Sequence, residues 1–254
     1  MGKLRGVAVC GLLLVCAAVW AQSKSTKAAG GAVKAAYFVD TNVLVMGPLV
    51  AGPPAQDSAT TKAELAEVHR VEQVRTAEQV AAAQADDQEE DIFSYRTVLG
   101  QGFSAEALPL TAAFSAHVHN DESVVGGPLK NAFRRPRPYQ ADVTLHPVCK
   151  LNAEPTSYPS GHTLSGYLLA FALVEMVPEK SKEILARADD YAHNRIVCGV
   201  HYPSDVEASH RVAYAVFGYM MASPRFQREL AAARAETRQH LGVAVTSPVV
   251  VAEK

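Results

Sequence analysis

Three short stretches of this 254-residue chain carry side chains suited to holding and attacking a phosphate. The first is Lys130, six residues, then Arg137-Pro138. The second is Pro159-Ser160-Gly161-His162. The third is Asn194-Arg195, five residues, His201, three residues, then Asp205. Together they supply three cations, two imidazoles, a carboxylate and a Ser-Gly turn. Covalent phosphoryl transfer without a metal needs this set. Fixed cations neutralise the equatorial oxygens, one imidazole attacks phosphorus, and the other protonates the leaving group.

Each stretch alone also has an ordinary reading. Ser160 is a common helix cap, and Asp205 could cap a helix behind Pro203 with His201 merely in a loop. As a site, the same residues divide the work differently. A helix opening at Ser160 would offer free N–H groups and its positive dipole end to an anion. Gly161 would let the backbone come close, and Ser160 would donate a hydroxyl hydrogen bond. Asp205, four residues after His201, could hold one imidazole nitrogen and free the other for attack. Lys130 offers a point charge and Arg137 a planar fork of donors. Arg134 and Arg135 read as a solvated basic loop.

These residues need helices to carry them. Ser160–Val177 is apolar around nearly its whole circumference, which predicts a central buried helix. Lys180–Cys198, Pro203–Ala222 and Arg225–Leu241 read as three more. Upstream, Ser58–Ala85 predicts one long helix, with Thr61-Lys62-Ala63-Glu64 resembling a capping box. Asp86–Leu99 predicts a helix opened by an acidic cluster. Ser104–Val118 predicts another, whose start moves to Leu108 if Pro109 occupies its first turn. Residues 121–158, rich in Pro and Gly, read as largely irregular. The expectation is an all-α, single-domain bundle over 36–243, with a tail at 244–254.

At the N-terminus, Lys3 and Arg5 precede an apolar run at Val7–Val19, and Val19-Trp20-Ala21 resembles a cleavage site. Residues 1–21 therefore read as a signal peptide and 22–35 as a flexible leader, which predicts a periplasmic or secreted protein. The net charge of −2 falls to −4 once Lys3 and Arg5 leave, because residues 1–21 hold no acid. That lacks the overall positive charge of a nucleic-acid binder. No mature segment is long enough to insert stably in a bilayer. Cys149 and Cys198 remain after cleavage, as a disulfide or as two thiols. No metal-binding motif is present, and no cofactor is expected.

Taken jointly, the order and spacing of the three stretches resemble the type 2 phosphatidic-acid-phosphatase (PAP2) superfamily, which includes the vanadium haloperoxidases. Within it, the chain is similar to the bacterial class A non-specific acid phosphatases. Leu108-Pro109-Leu110-Thr111, Phe133-Arg134-Arg135-Pro136-Arg137-Pro138-Tyr139 and Val197–Val206 carry the likeness, which spans most of 36–240. The resemblance implies a PAP2-type helical bundle and activity on small phosphomonoesters. It assigns phosphate oxygens to Lys130, Arg137 and Arg195, with hydrogen bonds from Ser160 and the Gly161 amide. His201 would be the nucleophile that forms a phosphohistidine, His162 the general acid, and Asp205 the group orienting His201. It also implies a homo-oligomer. Asn194 stands where the family usually has Ser. The competing readings are a lipid-phosphate or pyrophosphate phosphatase, a vanadate-dependent haloperoxidase, and a periplasmic anion-binding protein.

Overall fold

A computed structural model describes residue 2 and residues 34–42, 44, 46 and 50–244. The expected signal peptide, most of the leader, Gly47-Pro48 and the tail beyond Ala244 lie outside the described residues. Nine helices are labelled here: α1 (Ala59–Val74), α2 (Ala77–Gln88), α3 (Arg96–Leu99), α4 (Pro109–Phe133), α5 (Pro138–Ala141), α6 (Gly161–Met176), α7 (Ser181–Val197), α8 (Pro203–Ala222) and α9 (Pro224–His240). Short 3-10 turns occupy Ile92–Tyr95 and Pro178–Lys180. No strand occurs among the described residues. The fold is all-α, and no described helix is long and apolar enough to cross a membrane.

The core is built around α6. Its residues from Thr163 to Leu173 are buried without a break, as an all-round apolar helix requires. α4, α7, α8 and α9 pack around it. Each of Leu164, Leu168, Leu169 and Leu173 removes a whole side chain from water, worth about 2 kcal/mol apiece. Val177 leaves the helical conformation and Pro178 follows, so the helix stops where the sequence says it should. Gly166 allows the closest approach to α7. A Cβ there would lie 2.8 Å from the Tyr191 ring. Through that contact Tyr191 reaches the end of α2, where its hydroxyl donates to the carbonyls of Asp86 and Glu89.

The four C-terminal helices lie within a few residues of expectation, but the N-terminal half departs from it in three places. The predicted helix over 58–85 is two helices. Arg75 is extended (ψ 132°), and Thr76 restarts the chain with a capping box to Gln79. The Arg75 guanidinium is committed elsewhere, donating to the carbonyls of Val197 and His146. Ser58 caps α1 through Thr61 N, and Glu64 is directed into the interior instead of closing a capping box.

The predicted helix over 86–99 survives only as a 3-10 turn and the four-residue α3. Its acidic residues end α2 rather than open a helix, an unfavourable end of the dipole. Asp86, Asp87 and Glu90 are held by Arg187, Arg195 and His162 from α7 and α6, and Asp91 caps the 3-10 turn. The third departure is α4, which starts at Pro109 as anticipated but runs on to Phe133 through a stretch expected to be irregular. At Gly126 a Cβ would lie 2.9 Å from the end of the Glu122 side chain and 3.6 Å from Leu164 of α6. α4 can therefore pass close to α6 and deliver Lys130 on its last turn. Beyond it the 134–158 segment is mostly irregular, as predicted, with α5 inside it.

The N-terminal end of the described chain is pinned to α4. The buried Asp121 carboxylate accepts the N–H groups of Tyr37, Phe38 and Val39 at 2.6–3.0 Å. Cys149 and Cys198 form a disulfide with Cα atoms 5.2 Å apart, which settles the alternative left open by the sequence.

Candidate active site

Lys130 sits on the last turn of α4 and Arg137 just before α5, Ser160 caps α6, Arg195 lies in the last turn of α7, His201 in the turn after it, and Asp205 in the first turn of α8. Ser160 accepts hydrogen bonds from the N–H and hydroxyl of Thr163, so the capping reading holds. Its own N–H donates to the Asp205 carbonyl at 3.3 Å, and its carbonyl accepts from Ser209. The start of α6 is thereby tied to the start of α8.

His201 and Asp205 do face one another. Nδ1 of His201 lies 3.2 Å from Asp205 Oδ2, leaving Nε2 on the other side of the ring. That Nε2 meets Arg137 Nη1 at 3.2 Å. A guanidinium only donates, so Nε2 presents its lone pair and Nδ1 carries the proton. Burial holds the His201 pKa well below the ordinary value, and the charges of Arg137, Lys130, Arg195 and His162 push the same way. The donor at Nε2 and the lowered pKa both favour the neutral ring.

Asp205 is fully buried and saturated. Besides His201 it accepts from Arg135 Nη1 (2.7 Å), the Ser157 hydroxyl (2.5 Å) and the Tyr202 amide (2.9 Å). Ser157 and Arg135 are the residues that sequence reasoning missed here. Arg135 is not solvated. It is 3% exposed, it bridges Asp205 and Ser204 to Glu64, and its guanidinium lies 3.9 Å over the Tyr202 ring. Two buried carboxylates on α1 and α8 draw it inward. Arg134 stays at the surface, beside Glu154.

The cations converge on His201. Lys130 Nζ donates to the carbonyls of Thr156 and Pro159. Arg137 donates to the Val200 carbonyl as well as facing His201. Arg195 is 2% exposed and donates to Asp87 at 2.8 Å. The Nε atoms of Arg137 and Arg195 are buried without a partner. Buried donors normally find an acceptor, so an anion's oxygens fit this cluster. Gly161 is the gap beside it. A Cβ would lie 3.7 Å from Lys130 Cε and 3.2 Å from Glu122 Oε1.

His162 sits apart from His201, on the wall of a cleft of about 680 Å³ that Arg137, Arg195, Asp87, Glu90 and Lys150 also line. Its Nδ1 meets Glu90 Oε1, and its Nε2 faces the Asp87 carbonyl at 3.3 Å. Asn194 donates its amide to Asp86 at 2.8 Å, alongside Arg187. The acidic run 86–90 thus holds the cationic ends of α6 and α7 in place. The sequence signal for this was the run itself, read there as a helix start. Among the described residues, Asp87, Cys149 and Cys198 approach one another as metal ligands would. The two sulfurs are joined in a disulfide and the carboxylate holds Arg195, so that donor set does not suit a metal.

Two buried groups set the charge of the cluster. Burial, then the Arg137 charge, pushes Lys130 down to about 8. Burial, then the Glu90 charge, pushes Glu122 up to about 8. Below that pH the lysine is charged and the carboxyl neutral; above it the pocket loses a positive charge and gains a negative one. Phosphate binding should therefore weaken by about tenfold per pH unit for each group released, as pH rises through 8. The inhibition constant of inorganic phosphate from pH 7 to 9.5 reports this, and a flat profile would contradict it.

Residues 110–229 match the family model described as PAP2 superfamily. A "Non-specific acid phosphatase" of Salmonella typhimurium is 38% identical over 112 residues, 42% of this chain and 44% of that protein. An "Acid phosphatase" of Zymomonas mobilis is 31% identical over 147 residues, 56% of this chain and 55% of that one. The chain thus matches about half the length of these curated relatives. A transmembrane PAP2 type phosphatidylglycerolphosphate phosphatase from Bacillus subtilis is similar at a TM-score of 0.48 and 16% identity, over 66% of this chain and 87% of that one.

Proposed function

Because residues 110–229 match the PAP2 superfamily model, we propose that this chain is an acid phosphatase that hydrolyses small phosphate monoesters through a phosphohistidine, without a metal. The observation that carries the reading is the His201 ring. It is neutral, it is held at Nδ1 by Asp205, and its Nε2 is turned toward the Arg137 guanidinium.

In the first half-reaction, Lys130, Arg137 and Arg195 hold the phosphoryl oxygens. The α6 N-terminus, with Ser160 and the Gly161 amide, adds hydrogen bonds. The guanidinium of Arg137 exchanges the imidazole for a phosphate oxygen, and Nε2 attacks phosphorus in line with the ester oxygen. Asp205 stabilises the charge that grows on His201. His162 gives a proton to the departing alcohol. In the second half, His162 takes a proton from water as that water attacks the phosphohistidine, and phosphate leaves.

The disulfide supports a location outside the reducing cytosol, in agreement with the basic-apolar N-terminal segment. The test is hydrolysis of p-nitrophenyl phosphate at pH 5–6 in EDTA, with labelled phosphate trapped on His201 by quenching into alkaline denaturant. Turnover with an acid-labile, base-stable label at His201 is the expected result. Stoichiometric phosphate binding without turnover would favour an anion-binding protein instead. Vanadate-dependent bromide oxidation would favour a haloperoxidase.

A further inference from the structure

Glu90 stands between two histidines that come from different helices. It follows the end of α2 by two residues. Its Oε1 meets Nδ1 of His162 on the first turn of α6, and its Oε2 lies 3.6 Å from Nδ1 of His119 on α4. His119 Nδ1 also lies 3.3 Å from the Ser165 hydroxyl on α6. Burial raises the Glu90 carboxyl, but the hydrogen bond and charge of His162, with His119 and Arg195 behind them, outweigh it and hold the group below its ordinary value. The other groups around it are Asp87 at the end of α2, Glu122 and Lys130 on α4, and Tyr191 on α7.

The two contacts of the His162 ring are unequal. Nδ1 meets the Glu90 carboxylate directly, while Nε2 has the Asp87 carbonyl at 3.3 Å and the Asp87 carboxylate only at 3.9 Å, both beyond the usual distance for an N–H donor. Both partners are acceptors, so the ring can keep both protons satisfied. Only the weaker contact is readily given up to a substrate.

We propose that Glu90 is the positioning residue of the general acid: it fixes the His162 ring through Nδ1 and stabilises its imidazolium, and His119 braces the carboxylate from the far side. This rests on the phosphatase reading. When the P–O bond breaks, its electron pair leaves on the ester oxygen, which takes the Nε2 proton of His162. The ring becomes neutral and keeps its Nδ1 proton against Glu90. Water returns a proton to Nε2 in the second half-reaction, so the ring is restored and the balance closes. Glu90 itself never changes protonation state.

The distinguishing measurement is leaving-group dependence. A p-nitrophenolate departs without much help, whereas an alkoxide needs the proton, and general acid catalysis is worth about 10²–10⁴-fold. Glu90→Gln should therefore lower kcat for glycerol phosphate by about 10²-fold and for p-nitrophenyl phosphate by less than about tenfold. His119→Gln should show the same substrate contrast more weakly, and Glu90→Asp should restore part of the loss. Equal losses on both substrates would reduce Glu90 to a structural ion pair and overturn the inference. If Glu90→Gln fails to fold, imidazole nitrogen-15 NMR of the unmodified protein decides. A protonated, hydrogen-bonded His162 Nδ1 is expected, and an Nδ1 without a proton would overturn the inference. An unmodified protein that turns over neither substrate would instead remove the phosphatase reading itself.

Discussion

His201→Ala should abolish hydrolysis, leaving a residual rate at least about 10⁴-fold below the parent. Substituting a nucleophile removes the covalent route, and none of the described neighbours can replace it. Arg137, Lys130 and Arg195 only donate, and Asp205 is buried behind the imidazole with every oxygen engaged. The fold should tolerate the change, because Asp205 keeps Arg135, Ser157 and the Tyr202 amide when the ring is gone. Phosphate affinity should survive or increase, since Arg137 no longer shares its Nη1 with Nε2. Steady-state kinetics on p-nitrophenyl phosphate and titration calorimetry with phosphate separate the two effects. Turnover within tenfold of the parent would assign the nucleophile elsewhere.

Arg135→Ala should be the most damaging substitution for stability, costing about 3–5 kcal/mol. Among the described residues, Arg135 is the one cation paired with both Glu64 and Asp205, which are buried on α1 and α8. Truncating it strands two carboxylates in the interior, and that cost exceeds whatever the intact bridge contributes. Activity should fall as well, because Asp205 loses the group that fixes Oδ1 while Oδ2 serves His201. Urea denaturation measures the first effect, and kcat on folded protein the second. A loss below about 1 kcal/mol would mean that Glu64 and Asp205 are satisfied by their other donors when the guanidinium is gone. Arg135→Lys should recover only part of the loss, since one ammonium cannot match the two-sided fork.

The contrast between what could and could not be read from the sequence follows the range of the interactions. α6, α7, α8 and α9 were legible because their signals are local: a cap or proline at the start, an apolar pattern, a stop. The three motif stretches were legible through their types and order. The break at Arg75-Thr76 was in principle readable, since Thr76 and Gln79 have capping-box spacing, but it lay inside a continuous pattern of valines. The extension of α4 through Gly126, Gly127 and Pro128 was not readable. Those residues oppose a helix locally, and the close approach of Leu164 on α6 is visible only in the fold. Arg135, Ser157, Asp87 and Glu90 were missed for the same reason. Arg135, Asp87 and Glu90 sit in charged runs that read locally as solvated, and Ser157 is a common loop residue. The importance of each lies in a partner 48 to 108 residues away.

The disulfide closes a covalent ring from Cys149 to Cys198. That ring contains α6, α7, Ser160, His162 and Arg195; Lys130 and Arg137 lie before it, and His201 and Asp205 after it. The exposed loop Lys150–Glu154, the natural target for a protease on this face, lies inside the ring. A cut there separates the first two cations from the nucleophile in sequence, yet both fragments remain one molecule through the sulfurs. A severed backbone at this loop therefore leaves the residues of the candidate site on one covalent molecule.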